Sequence, residues 1–209
     1  MTVMLVNKPD PMVCALGAGL CYNAKDPWKA LMHAMENGHE SVAEHTVFSF
    51  LIDDVSRVLL AQLTRHRVAS FSVQSQRYCG ADLKLVMPET IIQAGALEDV
   101  LRLAAHVNDV YARLLEKGVP AEDARYFTLQ AGQTRLLMTM NIRELRHFFE
   151  LRCCNRAQWE IRVMADEMLR ICKKEVPELF EDAGPGCVRG KCPEGKKACG
   201  SPRSKEEWE

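Results

Sequence analysis

Long apolar runs are missing from this sequence. A membrane-spanning helix needs about 18–20 consecutive apolar residues, and no stretch of the chain approaches that length. The first residues, MTVMLVNKPDP, also lack the basic start and the apolar stretch of a secretory signal peptide. We therefore expect neither a membrane anchor nor a membrane partner.

Neither sign of charge is in excess. The chain has 27 Lys and Arg residues against 28 Asp and Glu residues, which gives a formal net charge of −1. The field of the whole molecule would therefore not draw it to nucleic acid or to anionic lipid, and we expect no nucleic-acid partner. Any anion-binding site must be a local basic patch that acids elsewhere balance.

The cysteines lack the spacing of a disulfide framework. There are nine, an odd number, and this favours reduced thiols in a cytoplasmic protein. Three of them, Cys187, Cys192 and Cys199, lie in a segment rich in Gly, Pro and charge. A structural zinc site usually takes four ligands, and a fourth could come from Cys172 or from another subunit. We favour a loosely ordered tail without a metal, and keep metal or disulfide as the less favoured interpretations.

The hydrophobic pattern predicts a mixture of strands and helices. With 209 residues, 47% of them apolar, the chain is long enough for one domain with a substantial core. β-Branched or alternating runs predict strands over residues 3–6, 46–53 and 134–141, and an extended segment over 71–78. A 3.6-residue spacing or a helix-starting residue predicts helices over 15–22, 27–36, 55–63, 97–115, 120–130, 142–151 and 157–174.

Two segments combine charged and hydrogen-bonding residues. In the first, GHESVAEH at 38–45, Ser41 and Glu44 have the spacing of a helix capping box. The zinc-helix motif needs two histidines four residues apart, whereas His39 and His45 are six apart, so we place metal binding below capping. The second segment, 65–78, reads RHRVASFSVQSQRY and contains three arginines, three serines and no acid.

The arginine-rich segment predicts a ligand for its cations. A guanidinium group presents a planar fork of donors that matches the oxygens of phosphate and carboxylate groups. Serine hydroxyls and backbone N–H groups can complete such an anion site. If residues 71–78 are extended, Ser75 and Arg77 lie on one face, as a phosphate clamp requires. A partner subunit's acids, or solvent around an ordinary basic turn, could equally satisfy the arginines.

The same segment carries a family resemblance. It contains RHRxxSxxxxSxR, and a second block, Leu151-Arg152 followed by Ala157-Gln158-Trp159-Glu160-Ile161, lies further along the chain. Together these blocks resemble the flavin-dependent thymidylate synthase family, and the matched segments extend over residues 38–172. The chain has Ser72 and Val73 where a common form of the motif has Asn and Glu.

The resemblance implies a fold and an activity. The expected fold is α+β, a central, mostly antiparallel sheet flanked by helices, in a homotetramer with sites between subunits. Residues 1–176 would form a single catalytic domain and 177–209 a Cys-, Gly- and Pro-rich tail. The implied reaction is reductive methylation of dUMP to dTMP, with methylenetetrahydrofolate as the carbon donor and FAD, reduced by NADPH, as the hydride source.

The resemblance also implies roles for individual residues. Arg152 would be catalytic, as a fixed cation beside the uracil that stabilises negative charge developing on the ring. With Arg152, the substrate would be held by Gln62, Arg65, Val73, Gln74, Ser75, Gln76, Arg77 and Arg125. The flavin would be held by His39, Ser41, Glu44, Arg65, His66, Arg67, Asn141, Arg143 and His147.

The sequence also allows ordinary structural or solvent-exposed roles for several of these residues. Gln62 could be a solvated amide, and Arg125 a surface arginine paired with Glu122. Arg143, His147 and Glu150 share a helix face and could form a solvated ladder. We favour packing roles for Cys153 and Cys154, although a basic neighbour can activate a thiol. The alternative functions are a nucleotide- or RNA-binding module that uses residues 65–77 and a zinc-dependent interaction protein that uses the cysteine tail.

Overall fold

The computed structural model describes residues 1–79 and 84–209. The strands in this part of the chain are β1 (Thr2–Leu5), β2 (Val47–Ser56), β3 (Ala69–Val73) and β4 (Gln133–Asn141). The α-helices are α1 (Met12–Tyr22), α2 (Pro27–Glu36), α3 (Arg57–Leu63), α4 (Glu89–Gln93), α5 (Leu97–Glu116), α6 (Ala121–Ala124), α7 (Ile142–Arg152), α8 (Trp159–Glu175) and α9 (Pro177–Phe180). Short 3-10 helices span Glu40–His45, Arg125–Phe127, Gly186–Arg189, Gly195–Lys197 and Lys205–Trp208. None of the helices described is both long and apolar enough to cross a membrane.

The four strands form one antiparallel sheet in the order β1-β2-β4-β3. Leu136, Met138 and Met140 on β4 are all buried, as the period-two pattern of the sequence predicts. Together with the helices, the sheet confirms the predicted α+β class.

The chain divides into two compact units. The first unit comprises Met1–Thr2, Ile52–Gln62 and Ser72–Leu136, and the second comprises Val3–Leu51, Leu63–Phe71 and Leu137–Glu209. The arginine-rich segment is therefore shared, because Arg65, His66 and Arg67 belong to the second unit while Ser75 and Arg77 belong to the first.

Helix α5 is the longest element of the first unit. Its apolar side buries Ala104 and Tyr111, and the chain leaves the helix through Gly118, whose φ of +80° suits a residue without a Cβ. The helix predicted over 120–130 is wrong in length. Only α6 is α-helical there, and the tighter 3-10 turn Arg125–Phe127 follows it.

In the second unit, helix α7 begins at the predicted cap. The Asn141 side chain accepts a hydrogen bond from the Glu144 backbone N–H at 2.8 Å, which satisfies one of the free donors of the first turn. Phe148 and Phe149 on α7 are fully buried. The capping box predicted at Ser41 and Glu44 is wrong, because the 3-10 helix Glu40–His45 starts without a side-chain cap.

The C-terminal segment is held by specific contacts, where the sequence predicted a loosely ordered tail. Trp208 is buried, and its Nε1–H donates to Asp166 Oδ1 at 2.9 Å. Arg203 pairs with the same carboxylate at 2.7 Å and stacks on the Trp208 ring. The composition of the segment could not reveal this, because the anchoring carboxylate lies on α8.

Candidate active site

A buried polar chain connects three residues of the second unit. The Nε–H of Arg152, at the end of α7, donates to His66 Nε2 at 3.1 Å. The other ring nitrogen, Nδ1, lies 2.9 Å from Glu144 Oε1. His66 is 5% exposed and packs against the Phe148 ring with centroids 4.9 Å apart. Water therefore has little access to the His66 ring, whereas Arg152 and Glu144 are partly exposed.

The contacts define the protonation state of His66. A guanidinium N–H can only donate, so Nε2 must accept and the proton must be on Nδ1, where it is donated to Glu144. Burial lowers the pKa of His66 from its ordinary value of 6.5, and the Arg152 charge lowers it further, while the hydrogen bond to Glu144 raises it. The imidazole is therefore neutral at pH 7 and holds Arg152 in a fixed orientation.

Arg152 combines charge with partial burial. Burial lowers the pKa of Arg152 and the nearby charge of Arg65 lowers it further, although it stays protonated at any ordinary pH. The partly buried Arg152 and the neighbouring, exposed Arg65 together form a favourable site for an anion or for developing negative charge. The sequence predicted roles for both arginines and for His66. It gave no sign of Glu144, whose partner lies on a separate segment.

A polar cavity of about 380 Å³ lies beside the first turns of α7. Four of the residues predicted to hold the flavin line it: Glu44, Asn141, Arg143 and His147. His39, Ser41, Arg65, His66 and Arg67 are not among the described residues that form its walls. The structure thus brings together part of the predicted cofactor set.

The cations around this cavity are paired with acids. Arg143 pairs with Glu44, and Arg189 pairs with Glu150 at 3.2 Å. Glu150 therefore pairs with a residue outside α7. The solvated ladder considered from the sequence would have paired it with Arg143 on the same helix. The Arg143–Glu44 pair is about half exposed on both sides, with side chains 52% and 44% exposed. An exposed pair of this kind contributes little to stability because solvent screens it, so an anionic ligand can displace Glu44.

A second basic cluster lies in the first unit. Arg77 pairs with the Glu122 carboxylate at 2.6 Å, and Arg125 Nε donates to the Glu122 backbone oxygen at 3.2 Å. Arg57 donates to the Gln74 backbone oxygen at 2.9 Å. Burial lowers the pKa of Arg57 and the charge of Arg125 lowers it further, so these two cations are close. Arg125 does lie beside Glu122, but the carboxylate itself pairs with Arg77.

The extended conformation predicted for residues 71–78 is confirmed over 71–73 and wrong beyond them. Strand β3 ends at Val73, and the chain then turns so that the Arg77 N–H donates to Ser75 Oγ at 3.1 Å. Ser75 and Arg77 are brought together by this turn and not by a shared strand face. Arg57 was missed from the sequence, although its buried Nε has no hydrogen-bond partner among the described residues. A nitrogen of this kind can accommodate an anion.

The Cys153 thiol is poorly suited to nucleophilic attack. Burial raises its pKa well above the ordinary 9.0, and the neighbouring Asp166 raises it further. Since only the thiolate is a strong nucleophile, the predicted packing role of Cys153 agrees with its surroundings.

Replacing Cys153 by alanine is expected to leave turnover within about twofold of the unchanged protein, because a protonated buried thiol takes no part in nucleophilic chemistry. Initial rates should be measured beside the melting temperature and the flavin content. A complete loss of turnover in a folded, flavin-loaded variant would overturn this packing role.

Comparison with known proteins agrees with this geometry. Residues 4–178 match the family model described as thymidylate synthase complementing protein. A flavin-dependent thymidylate synthase of Geobacter sulfurreducens is 45% identical, in an alignment that covers 94% of this chain and 92% of that protein. Proteins of the same name from Nitratidesulfovibrio vulgaris and Clostridium tetani are 41% and 40% identical, over 94% of this chain and 93% and 92% of theirs.

The chain therefore belongs to the flavin-dependent thymidylate synthase family. The resemblance found in residues 65–77 and 151–161 is confirmed. The alternative of a nucleotide- or RNA-binding module receives no support from these relatives.

Proposed function

We propose that this protein is a thymidylate synthase that converts dUMP to dTMP. The observation that carries the proposal is the orientation of Arg152 by the buried His66, inside a chain whose relatives share one enzyme name. FAD, when bound, would supply the hydride, NADPH would re-reduce it, and methylenetetrahydrofolate would supply the carbon. The residues of this chain bind, orient and provide electrostatic stabilisation.

Arg152 is the proposed catalytic residue. Attack of uracil C5 on the carbon donor requires electron density on the ring, and the oxygen and nitrogen atoms opposite C5 then become more negative. A guanidinium held in place before the reaction stabilises that charge without reorganising during it. His66 provides the holding, because its unprotonated Nε2 fixes the direction of the Arg152 Nε–H.

The cluster of Arg57, Arg77 and Arg125 in the first unit is the proposed phosphate site. Of its three cations, only Arg77 pairs with a carboxylate, that of Glu122, and this ion pair is half exposed. Arg125 donates to the Glu122 backbone oxygen, and its charge acts on Arg57. A phosphate dianion brings more charge and more acceptor oxygens than Glu122, so it can replace the carboxylate. Ser75 lies in the same turn as Arg77 and supplies a hydroxyl. Roles for Gln62, Val73, Gln74 and Gln76 remain proposals based on the family motif.

Replacing Arg77 by alanine is expected to raise KM for dUMP about 10- to 100-fold with a small change in kcat. A charge-assisted hydrogen bond is worth about 1.5–3 kcal/mol, and the phosphate is bound equally in the ground and transition states. Arg113→Ala, on α5, serves as the control. An unchanged KM for dUMP in Arg77→Ala would remove this residue from the phosphate site.

The cavity beside α7 is the proposed site for part of the flavin. Asn141, Arg143 and His147 line it, and the Arg143–Glu44 pair can open to an anion, so these residues fit a phosphorylated cofactor. His39, Ser41, Arg65, His66 and Arg67 are proposed to complete the cofactor site. Ligand pockets usually measure about 300–1,000 Å³, and this one, at about 380 Å³, is near the lower end for a dinucleotide.

A homotetramer with shared sites would complete that cavity. Helix α1 supports the proposal because Val13, Leu16 and Leu20, at helical spacing, are 44%, 57% and 84% exposed. An apolar stripe of this kind is typical of a surface that another subunit covers.

Replacing Leu16 and Leu20 together by glutamate is expected to shift the protein from tetramers to smaller species. Charges on a covered apolar stripe would have to be desolvated without a partner. Sedimentation at micromolar concentration measures the result, and Lys29→Glu, on an exposed position of α2, is the control. An unchanged tetramer in the double variant would show that another surface joins the subunits.

The cheapest test of the proposal uses absorbance. Purified protein should be yellow, and heat denaturation should release FAD that chromatography identifies. Colourless, folded protein that takes up no FAD would contradict the cofactor assignment. The division into a catalytic part, 1–176, and a C-terminal segment, 177–209, stays a proposal, and so does the cytoplasmic location.

A further inference from the structure

Four cysteines line one pocket in the second unit. They are Cys154, Cys187, Cys192 and Cys199, and the pocket has a volume of about 300 Å³. The sequence offered three of these cysteines as possible metal ligands, with Cys172 or another subunit as the source of a fourth, and gave Cys154 a packing role. The fold supplies the fourth, Cys154, which follows the end of α7 and lies far from the other three in the chain.

Three of the four sulfur atoms accept backbone hydrogen bonds. The Arg156 N–H donates to Cys154 Sγ at 3.5 Å, and the Arg203 N–H donates to Cys187 Sγ at 3.4 Å. The Ser201 N–H donates to Cys199 Sγ at 3.4 Å. The Cys199 Sγ also donates to the Ser201 backbone oxygen at 3.2 Å. Hydrogen bonds to cysteine sulfurs are one of the features by which proteins surround metal centres.

The walls of the pocket suit a negatively charged occupant. Arg156 and Lys191 line it against the one carboxylate of Glu194. Arg203 also lines it, but its charge is paired with Asp166 and Glu207. Four thiolates carry four negative charges, and a metal centre between them keeps a net negative charge. Cationic walls and N–H···S hydrogen bonds both stabilise such a centre.

The arrangement of the four cysteines favours one of two kinds of centre. A single zinc ion holds four sulfurs at about 2.3 Å and draws them close together. Among the described residues, no three His, Cys, Asp or Glu side chains lie close enough to hold one metal ion. An iron–sulfur cluster has several metal atoms and spreads its four cysteine ligands further apart. The pocket has room for such a cluster.

We propose that Cys154, Cys187, Cys192 and Cys199 bind an iron–sulfur cluster. Each ligand loses its thiol proton as its sulfur bonds to iron, and the cluster needs no further reactant for its role here. That role is anchoring, because Cys154 lies two residues after Arg152 and the other three ligands belong to the C-terminal segment. The cluster would tie this segment to the end of the helix that carries the proposed catalytic arginine.

The test is the iron and sulfide content of the full chain, purified without oxygen. We expect iron and acid-labile sulfide in equal amounts, about two or four of each per chain, as Cys₄ clusters contain. Protein that lacks them should take them up from ferrous iron, sulfide and a thiol reductant. Flavin contains neither element, so this readout is independent of the proposed thymidylate synthase activity.

Cys192→Ser should lose at least half of the bound iron, whereas the exposed Cys21→Ser, on α1, should keep it. Circular dichroism shows whether each variant is folded. One zinc per chain and no iron would overturn the cluster. Absence of both iron and zinc after reconstitution of the unchanged chain would overturn the site itself.

Discussion

Replacing Arg152 by alanine is expected to lower kcat for dTMP formation about 100- to 1,000-fold. Removing one fixed group that stabilises developing charge in an active site typically lowers kcat by this factor. Arg152 lies beside Arg65 and is oriented by His66, so its charge is available without reorganisation. Stopped-flow or steady-state measurement of dTMP at saturating dUMP, with FAD content determined on the same sample, gives kcat per loaded site.

Two further variants separate charge from folding. Arg152→Lys keeps the charge but loses the planar fork and the donor to His66 Nε2, so it should recover only part of the rate. Arg102→Ala, on the exposed side of α5, removes an arginine that pairs with Asp99 and should leave kcat unchanged. If Arg152→Ala kept kcat within about twofold, the proposed electrostatic role would be wrong.

Replacing Glu144 by leucine is expected to lower kcat about 10- to 100-fold, because Glu144 orients Arg152 through His66. Glu144 also lines the cavity beside α7, so the FAD content of the variant is measured together with kcat. Glu144 is a positioning residue, because its carboxylate accepts the Nδ1–H of His66 and so leaves Nε2 to accept from Arg152. Leucine would leave a buried N–H without a partner, and a hydrogen bond to a charged group is worth about 1.5–3 kcal/mol. The imidazole could then change tautomer and turn a donor toward Arg152.

The pH dependence distinguishes positioning from a purely structural role. His66 works in its neutral form, and burial lowers its pKa below 6.5, so activity should fall only as the pH drops below 6.5. The Glu144 carboxylate raises the His66 pKa. In Glu144→Gln, which keeps an acceptor oxygen but loses the charge, the acid limb should therefore move to lower pH while kcat at pH 8 is largely kept.

One result of these pH profiles would contradict the positioning role of Glu144. Suppose that Glu144→Gln and Glu144→Leu lose the same activity, and that the activity of both falls at the same acidic pH as in the unchanged protein. Glu144 would then have no influence on His66. Glu178→Gln, an exposed carboxylate on α9, provides the control for a general effect of lost charge on the profile.

Local patterns predicted the sheet and the main helices. The alternation of Leu136, Met138 and Met140 identified the buried face of β4, and Asn141 identified the start of α7, because both signals act over a few residues. The same locality explains the failures. The turn at Ser75 and Arg77 ended an apparently extended run, and the apparent capping box at Ser41 gave way to a pairing of Glu44 with Arg143.

The site was predictable only as far as its family motifs reached. The motifs identified Arg152 and His66 as site residues. They did not identify Glu144, which is hydrogen-bonded to His66 although the two residues are 78 positions apart in the sequence. Arg57 and the fourth cysteine, Cys154, were missed as ligand-site residues for the same reason. Each has neighbours that tertiary packing alone brings near, and no spacing rule connects residues on separate elements.

Release of tritium from dUMP labelled at C5 tests the central claim most directly, because thymidylate formation must replace that hydrogen. With FAD, NADPH and methylenetetrahydrofolate present, the unchanged chain should release tritium and form dTMP in equal amounts, and Arg152→Ala should do neither at a comparable rate. Folded protein that released no tritium and ignored FAD at millimolar supply would contradict the account.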